Sequence, residues 1–413
     1  MLVVSNMYPP HHLGGYELSC QDTVERFRRR GHEVTVLTTT LRIPEADDRE
    51  EPDVRRELEF YWRDHDLLRP PLREQLRIER HNQRVLRDVL DAETPEVVSF
   101  WNMGAMSMGV LTTVVERRIP AVLVVCDNWL VYGPLVDPWA RRFSKRRLLA
   151  AAVRRLAGVP TAMADLGRVE AACFVSESVR RTADDNTRWS FRRSTVTYSG
   201  LDRTDFPPPG AGEEARPWGG QLLYVGRVEE RKGVETAVRA LAHLPPDHTL
   251  EILGPGEARY LAELRRLAES LGVHARVRFD SVGRDALRSR YLAGDAVVFP
   301  SEWEEPFGLV PLEAMACGRP VVATGTGGSA EFLADGVNCV LFPAGDSKAL
   351  ATAIARLGAD PTLRARLIEH GFHTTDGFDT DRLADVLEEW HVAAARRFRD
   401  GEPTARPPVI TEK

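Results

Sequence analysis

Twice along this chain, short apolar runs alternate with amphipathic helical stretches, and a proline- and glycine-rich break separates the two series. The first series comprises LVVSN (2–6), EVTVLTT (33–39), EVVSFW (96–101), AVLVVC (121–126), AACFVS (171–176) and STVTYS (194–199). The second comprises QLLYVGR (221–227), HTLEILG (248–254), ARVRFD (275–280), DAVVFPS (295–301), PVVAT (320–324) and NCVLF (338–342). Apolar runs of this length, with helices between them, predict parallel strands covered on both faces by crossover helices. The break, DFPPPGAGEEARP (205–217), has the composition of an interdomain linker. A chain of 413 residues is also too long for one ordinary core. The expected organisation is an α/β protein with an N-terminal domain over 1–203, a linker over 204–217 and a second domain over 218–372. A helix within 373–400 is expected to pack back toward the N-terminal domain, and 401–413 reads as a disordered tail. The stretch from Ile43 to Arg77 is polar and irregular and reads as an insertion.

With 43% hydrophobic and 28% charged residues the chain reads as soluble and globular. It has no apolar run of about 18 residues to span a membrane. The start, MLVVSN, leads straight into a strand without a basic region, unlike a signal peptide. Cys20, Cys126, Cys173, Cys317 and Cys339 are scattered without metal-ligand spacing, which suits a reduced cytoplasmic protein. A net charge of -6 argues against a nucleic-acid partner. One segment runs against that balance: RRFSKRRLLAAAVRR (141–155) carries seven basic residues and no acid. It reads either as a solvated helix face or as a peripheral contact with an anionic membrane surface, at the inner face, for a lipid-linked acceptor.

In open parallel sheets, ligands bind outside the carboxyl ends of the strands, so two such domains point to a cleft between them. The loop after QLLYV contains Gly226, Arg227, Lys232 and Gly233. A guanidinium grips two oxygens at once and an ammonium is a compact point charge, a combination suited to a diphosphate. Only four of the 55 basic residues are lysine, which singles out Lys232. The second signal is Glu305-Pro-Phe-Gly-Leu-Val-Pro-Leu-Glu313, where the chain turns into a helix. Pro306 suits a helix start, Gly308 allows close approach of backbone to a ligand, and free N–H groups there favour an anion or sugar hydroxyls. Glu313 falls about 7.5 Å further along that helix than Gly308, at about 1.5 Å per residue. Two carboxylates at different depths can accept hydrogen bonds from the hydroxyls of two sugars.

GRVEERKG (226–233), SEWEEPFGLVPLEAMACGRPVVAT (301–324) and GTGGSAEFLADGVN (325–338), in that order, resemble the retaining nucleotide-sugar glycosyltransferases of family 4. The resemblance covers the second domain. It is looser in the first, through the opening strand, Gly14-Gly15 and RRRGHEVTVLTT (28–39). It implies the GT-B fold, in which two Rossmann-like doubly wound domains face a central cleft. It implies that Glu305, Arg227 and Lys232 are catalytic. Gly226, Arg227 and Lys232 would hold the donor diphosphate, Glu305 the transferred sugar and Glu313 the ribose. Backbone at Phe307, Gly308 and Leu309 would lie against sugar and phosphate, and Gly15 would close over the phosphates from the other domain. No metal or cofactor is implied beyond the nucleoside-diphosphate sugar itself, and transfer would retain configuration by a front-face route. Where many members have His-Asp after the fourth strand, this chain has Cys126-Asp127, and a thiol cannot replace imidazole hydrogen bonds. Asn338-Cys339 likewise replaces Asn-Gly.

Acceptor-side candidates are His11, Trp101, Asn102, Asp127 and Trp129, at strand ends of the first domain, where aromatic faces suit a sugar or aglycone. As a pair, His11 and His12 are expected in a solvent-exposed loop. GTGGSA (325–330) imitates a dinucleotide fingerprint and is read as a donor-site wall. Asp64-His-Asp66 and Asp379-Thr-Asp381 imitate a metal-binding triplet, and the second is expected to cap the last helix. The functional expectation is sugar transfer from a UDP or GDP donor to a glycolipid, polysaccharide or small-metabolite hydroxyl. The alternatives are a nucleotide-sugar 2-epimerase of the same fold and a nucleotide-sugar-binding protein without turnover.

Overall fold

A computed structural model describes residues 1–43, 46, 51–63, 66–210, 213 and 217–400, which form two compact units. The tail 401–413, and Asp64 and His65 of the first Asp-x-Asp triplet, lie outside the described residues. One unit comprises Met1–Tyr198 together with the helix that begins at Thr380, and the other is Ser199–Asp379.

The first unit runs β1 (Leu2–Val4), α1 (Gly15–Arg29), β2 (Thr35–Thr39), β3 (Val54–Leu58), β4 (Trp62–Arg63), β5 (Asp66–Leu67), α2 (Leu72–Glu93), β6 (Val98–Phe100) and α3 (Met108–Glu116). It continues with β7 (Ala121–Val125), α4 (Trp129–Val136), α5 (Pro138–Phe143), α6 (Arg147–Ala157), β8 (Ala171–Phe174), α7 (Glu177–Asn186) and β9 (Ser194–Val196). Seven strands form one sheet in the order β3-β2-β1-β6-β7-β8-β9, all parallel. Every residue of β1, β6, β7 and β8 is buried, as expected for strands covered on both faces. The supposed insertion 43–77 is corrected in part. VRREL (54–58) adds an edge strand beside β2, and α2 begins at Leu72. At a sheet edge only Leu58 is buried, so the strand carries no apolar run to betray it.

The second unit runs β10 (Gln221–Val225), α8 (Val234–Leu241), β11 (Thr249–Leu253), α9 (Ala258–Ser270), β12 (Val277–Asp280), α10 (Arg284–Ala293), β13 (Ala296–Phe299), α11 (Leu309–Ala316), β14 (Val321–Ala323), β15 (Val340–Leu341), α12 (Ser347–Ala359) and α13 (Pro361–Thr375). Its six strands are parallel in the order β12-β11-β10-β13-β14-β15. The described part of the proline-rich stretch is anchored to this unit. Phe206 is fully buried with its ring 5.9 Å from Tyr291, and Arg288 donates to Glu213 at 2.8 Å.

The last helix, α14 (Thr380–Arg399), returns to the first unit and packs on α1. Ala384, Leu387, Ala394 and Ala395 share a core with Cys20, Val24 and Phe27. Arg30 pairs with Asp385 at 2.6 Å and His32 with Glu388 at 2.6 Å. Inside this contact His391 is buried with its ring 5.9 Å from Phe27, and burial pushes its pKa down to about 4 from 6.5. Between pH 6.5 and 4 the unfolded chain therefore binds a proton that the folded one does not. Stability is fully present above this window and falls as pH drops through it, by at most about 3 kcal/mol. Thermal melts from pH 7.5 to 5 are expected to show His391→Leu losing less stability than the parent; parallel curves would contradict this assignment.

Candidate functional site

In the second sheet the strand order reverses direction between β10 and β13, so the crevice outside their carboxyl ends is the position at which open α/β sheets take ligands. The loops that border it are Gly226–Gly233, after β10, and Pro300–Gly308, after β13. They touch through backbone. The Glu302 N–H donates to the Arg231 carbonyl at 2.9 Å, and a Cβ on Gly233 would stand 1.9 Å from the Pro300 carbonyl oxygen. Gly233 also has φ +66°, so any side chain there is both strained and obstructed.

The charged residues of the two loops meet. Lys232 Nζ donates to Glu305 Oε1 at 2.6 Å, and Ser301 Oγ donates to the same oxygen at 2.7 Å. The Lys232 side chain is 18% exposed and that of Glu305 only 5%, so the pair is largely withdrawn from water. Burial holds the Lys232 ammonium below the usual lysine range, although the Glu305 carboxylate opposes it. Beside them one carboxylate, Glu229, holds two guanidinium groups, Arg227 at 2.7 Å and Arg231 at 2.7 Å. Burial would raise the Glu229 carboxyl, but Arg227 and Arg231 outweigh it and hold it below the usual range. The Arg231 guanidinium lies 3.9 Å from the Trp303 ring centroid and the Lys232 ammonium 5.6 Å, so one indole ring supports both cations. Lys232 on Glu305 and Arg227 on Glu229 can pass to an incoming anion with little reorganisation, while Arg231 stays on Glu229.

The chain then reaches α11 through Gly308, the N-cap residue, at φ +97°. Pro306 stands two residues before this cap, and the proline within the first turn is Pro311. First-turn N–H groups of a helix lack intrahelical partners and favour an anion. Phe307 is buried beside Phe332 at 5.3 Å and Phe378 at 5.5 Å, which fixes the approach. The Gly325–Ala330 segment crosses the same loop: the Gly328 N–H donates to the Glu305 carbonyl at 2.6 Å and Thr326 Oγ1 to the Trp303 carbonyl at 2.7 Å. It continues as a short 3₁₀ turn, Gly327–Glu331, where a dinucleotide fingerprint would open an α-helix. Glu313 lies on α11. It is 6% exposed, it accepts from the Tyr291 hydroxyl at 2.6 Å, and burial raises its pKa.

In the first unit, Gly15 is the exposed first residue of α1, behind the N-cap Gly14. The Asn102 side chain accepts from the Gly104 N–H at 2.6 Å. Asp127 accepts from the Trp129 N–H at 2.8 Å and from the Tyr132 hydroxyl at 2.9 Å. Three acceptor-side expectations need correction. His11 is 1% exposed and its Nδ1 accepts from the Ile43 N–H at 3.1 Å, so it is no open-loop histidine. Trp101 and Trp129, at 2% and 0% exposed, are buried side chains, Trp101 within the core that includes Tyr8, Val24 and Val124, and Trp129 as the first residue of α4. Cys126 is half-buried, and burial raises its thiol well above the usual range, so it stays protonated. Asp379 pairs with Arg203 at 3.9 Å, and Asp381 in the first turn of α14 pairs with Arg26. Among the described residues, no three His, Cys, Asp or Glu side chains gather as a metal-ligating group.

Four site-side residues escaped the sequence reading: Ser301, Trp303, Glu229 and Tyr291. Ser301 and Trp303 sit four and two positions before Glu305, at the carboxyl end of β13. That placement could have flagged them once the neighbouring strand was known to be β10.

Two family models match the chain. The one described as Glycosyltransferase Family 4 covers residues 13–205, and the one described as Glycosyl transferases group 1 covers 217–374. The D-inositol 3-phosphate glycosyltransferase of Xylanimonas cellulosilytica is 35% identical over 246 residues, 55% of this chain and 59% of that one. The chain spans about half the length of the curated relatives that it matches at above 30% identity. The solved sucrose-phosphate synthase of Thermosynechococcus elongatus shares the fold, with a TM-score of 0.72 at 22% identity over 97% of this chain and 99% of that one. The crystal structure of Anabaena HepE in complex with UDP and glucose has a TM-score of 0.68 at 20% identity over 95% of this chain and 99% of that one.

Proposed function

We propose, because the chain belongs to the GT-B glycosyltransferases of family 4 type, that it is a retaining, metal-independent transferase that moves a sugar from a nucleoside diphosphate to a hydroxyl acceptor. The observation that carries this reading is the Lys232–Glu305 pair, joined across the two loops that border the crevice of the second sheet. In the reaction, the bond between the sugar anomeric carbon and the β-phosphate oxygen breaks. The acceptor oxygen bonds to that carbon on the same face, its proton passes to a phosphate oxygen, and the nucleoside diphosphate leaves. Charge therefore accumulates on the diphosphate, where Arg227 and Lys232 neutralise it. Glu305, released from Lys232, accepts a hydroxyl of the transferred sugar while Ser301 keeps its carboxylate aimed. Glu313, with one oxygen taken by Tyr291, meets the ribose through the other. UDP is favoured as the nucleotide by the UDP complex of the structurally similar HepE.

A panel of UDP and GDP sugars, with chelator present, tests this. A donor at about 100 times its Kd stabilises the folded state by about 2.7 kcal/mol. The expected result is a rise of several degrees in Tm with one nucleotide class, followed by transfer to a hydroxyl acceptor. An epimerised sugar from donor alone, or absence of stabilisation by every nucleotide sugar, would overturn the proposal.

A further inference from the structure

The basic segment 141–155 plays no part in the site just described. Its helix, α6, is held in the first unit by one face: Ala150, Val153 and Ala157 pack with Trp139, Phe143 and Val159. That seating is pinned by hydrogen bonds. Trp139 Nε1 donates to the Pro160 carbonyl at 2.7 Å and Thr161 Oγ1 to the Ala150 carbonyl at 2.8 Å. Asp137 starts the preceding helix by accepting from the Trp139 N–H at 2.8 Å and the Ala140 N–H at 3.0 Å.

With about 100° of rotation per residue, the opposite face of α6 carries Leu148, Ala151, Ala152, Arg155 and Leu156. Leu148 is 89% exposed and Leu156 84%, more than any other large apolar side chain among the described residues. A soluble helix normally turns polar residues outward, so α6 has an apolar face on both sides. Cations surround the outward leucines. Arg154 is paired with Glu116, but Arg141, Lys145, Arg146 and Arg155 have no ion-pair partner among the described residues. Ser144, Lys145, Arg146, Leu148 and Leu149 line one shallow depression. It places phosphate-binding groups directly beside side chains that fit acyl carbons.

We infer that α6 and its flanking cations form a docking surface for an anionic phospholipid bilayer. Charge complementarity selects this occupant over a second copy of the chain, because two such faces brought together would oppose cation to cation. The protein as a whole carries a charge of -6, so attraction to an anionic surface must come from a local patch of this kind. No helix among the described residues is long and apolar enough to cross a membrane, so the contact lies along the surface, with the leucines inserted to the headgroup boundary. The inference stands on this face alone and is independent of the proposed sugar transfer.

Flotation of the full chain with phosphatidylcholine vesicles, with and without phosphatidylglycerol, tests it. Binding is expected only with phosphatidylglycerol and weakens as salt shortens the screening length. The double variant Leu148→Ser/Leu156→Ser is expected to bind about tenfold more weakly at unchanged Tm, because both side chains already face water. Lys145→Ser and Arg146→Ser should each cost about fivefold. Equal binding of parent and variants, or no dependence on phosphatidylglycerol, would overturn the inference. So would a dimer in sedimentation that the leucine variant abolishes while vesicles remain unbound.

Discussion

Lys232→Ala is expected to lower the transfer rate by about 10²–10³-fold, equivalent to about 2.7–4 kcal/mol of lost transition-state stabilisation at a leaving group that gains charge. The position leaves little scope for compensation. Lys232 ends a short 3₁₀ turn that begins at Glu230, between Gly226 and Gly233, and its ammonium is directed by Glu305 at 2.6 Å and supported by Trp303 at 5.6 Å. Arg231 cannot substitute, because its guanidinium is committed to Glu229 at 2.7 Å and to the indole face at 3.9 Å. The substitution also leaves Glu305, 5% exposed, with Ser301 as its remaining hydrogen-bond donor from a side chain among the described contacts. Losing one partner of a largely buried pair should therefore lower stability by up to about 3 kcal/mol. Lys232→Ala/Glu305→Gln removes that uncompensated charge and is expected to recover most of the lost Tm while recovering no activity. Nucleoside diphosphate affinity should fall in both variants. Turnover within a few-fold of the parent would remove Lys232 from the diphosphate site.

What could be read from the chain before folding depended on periodicity and on backbone punctuation. Strands buried on both faces announce themselves, so β7 and β13 could be located from AVLVV and AVVF alone. The edge strand β3, VRREL, could not, because an edge strand with one buried residue looks like loop. The donor-side loop was legible because Gly233 and Gly308 mark backbone that only glycine adopts readily, at φ +66° and +97°. Side-chain direction at a strand end was not legible. Trp101 and Trp129 turn into the core, and His11 closes onto the Ile43 backbone, although Trp101 and His11 stand in loops after strands and Trp129 opens α4. The partnership of Ser301 and Trp303 with the Gly226–Gly233 loop was hidden for a different reason. It depends on β10 and β13 being neighbours, a fact of sheet order that no local spacing contains.

Glu305→Gln separates the two roles assigned to the pair and has the second large expected effect. Glutamine keeps the length and can still accept from Ser301, so the loop conformation should persist. It cannot neutralise Lys232, whose ammonium then stands without its carboxylate partner on a side chain only 18% exposed. In the proposed reaction a diphosphate competes with Glu305 for that ammonium in the parent protein. In the variant it has no competitor, and UDP affinity is expected to stay level or rise. Transfer should nevertheless fall by about tenfold, because a charge-assisted hydrogen bond to the sugar hydroxyl is roughly twice as strong as the neutral one that replaces it, a difference of about 1–1.5 kcal/mol. The pattern is thus opposite to that of Lys232→Ala in binding and parallel to it in rate. Isothermal titration with UDP, alongside single-turnover transfer, distinguishes the two. Glu305→Gln binding UDP much more weakly than the parent would mean that the carboxylate organises the diphosphate site itself and does not serve the transferred sugar.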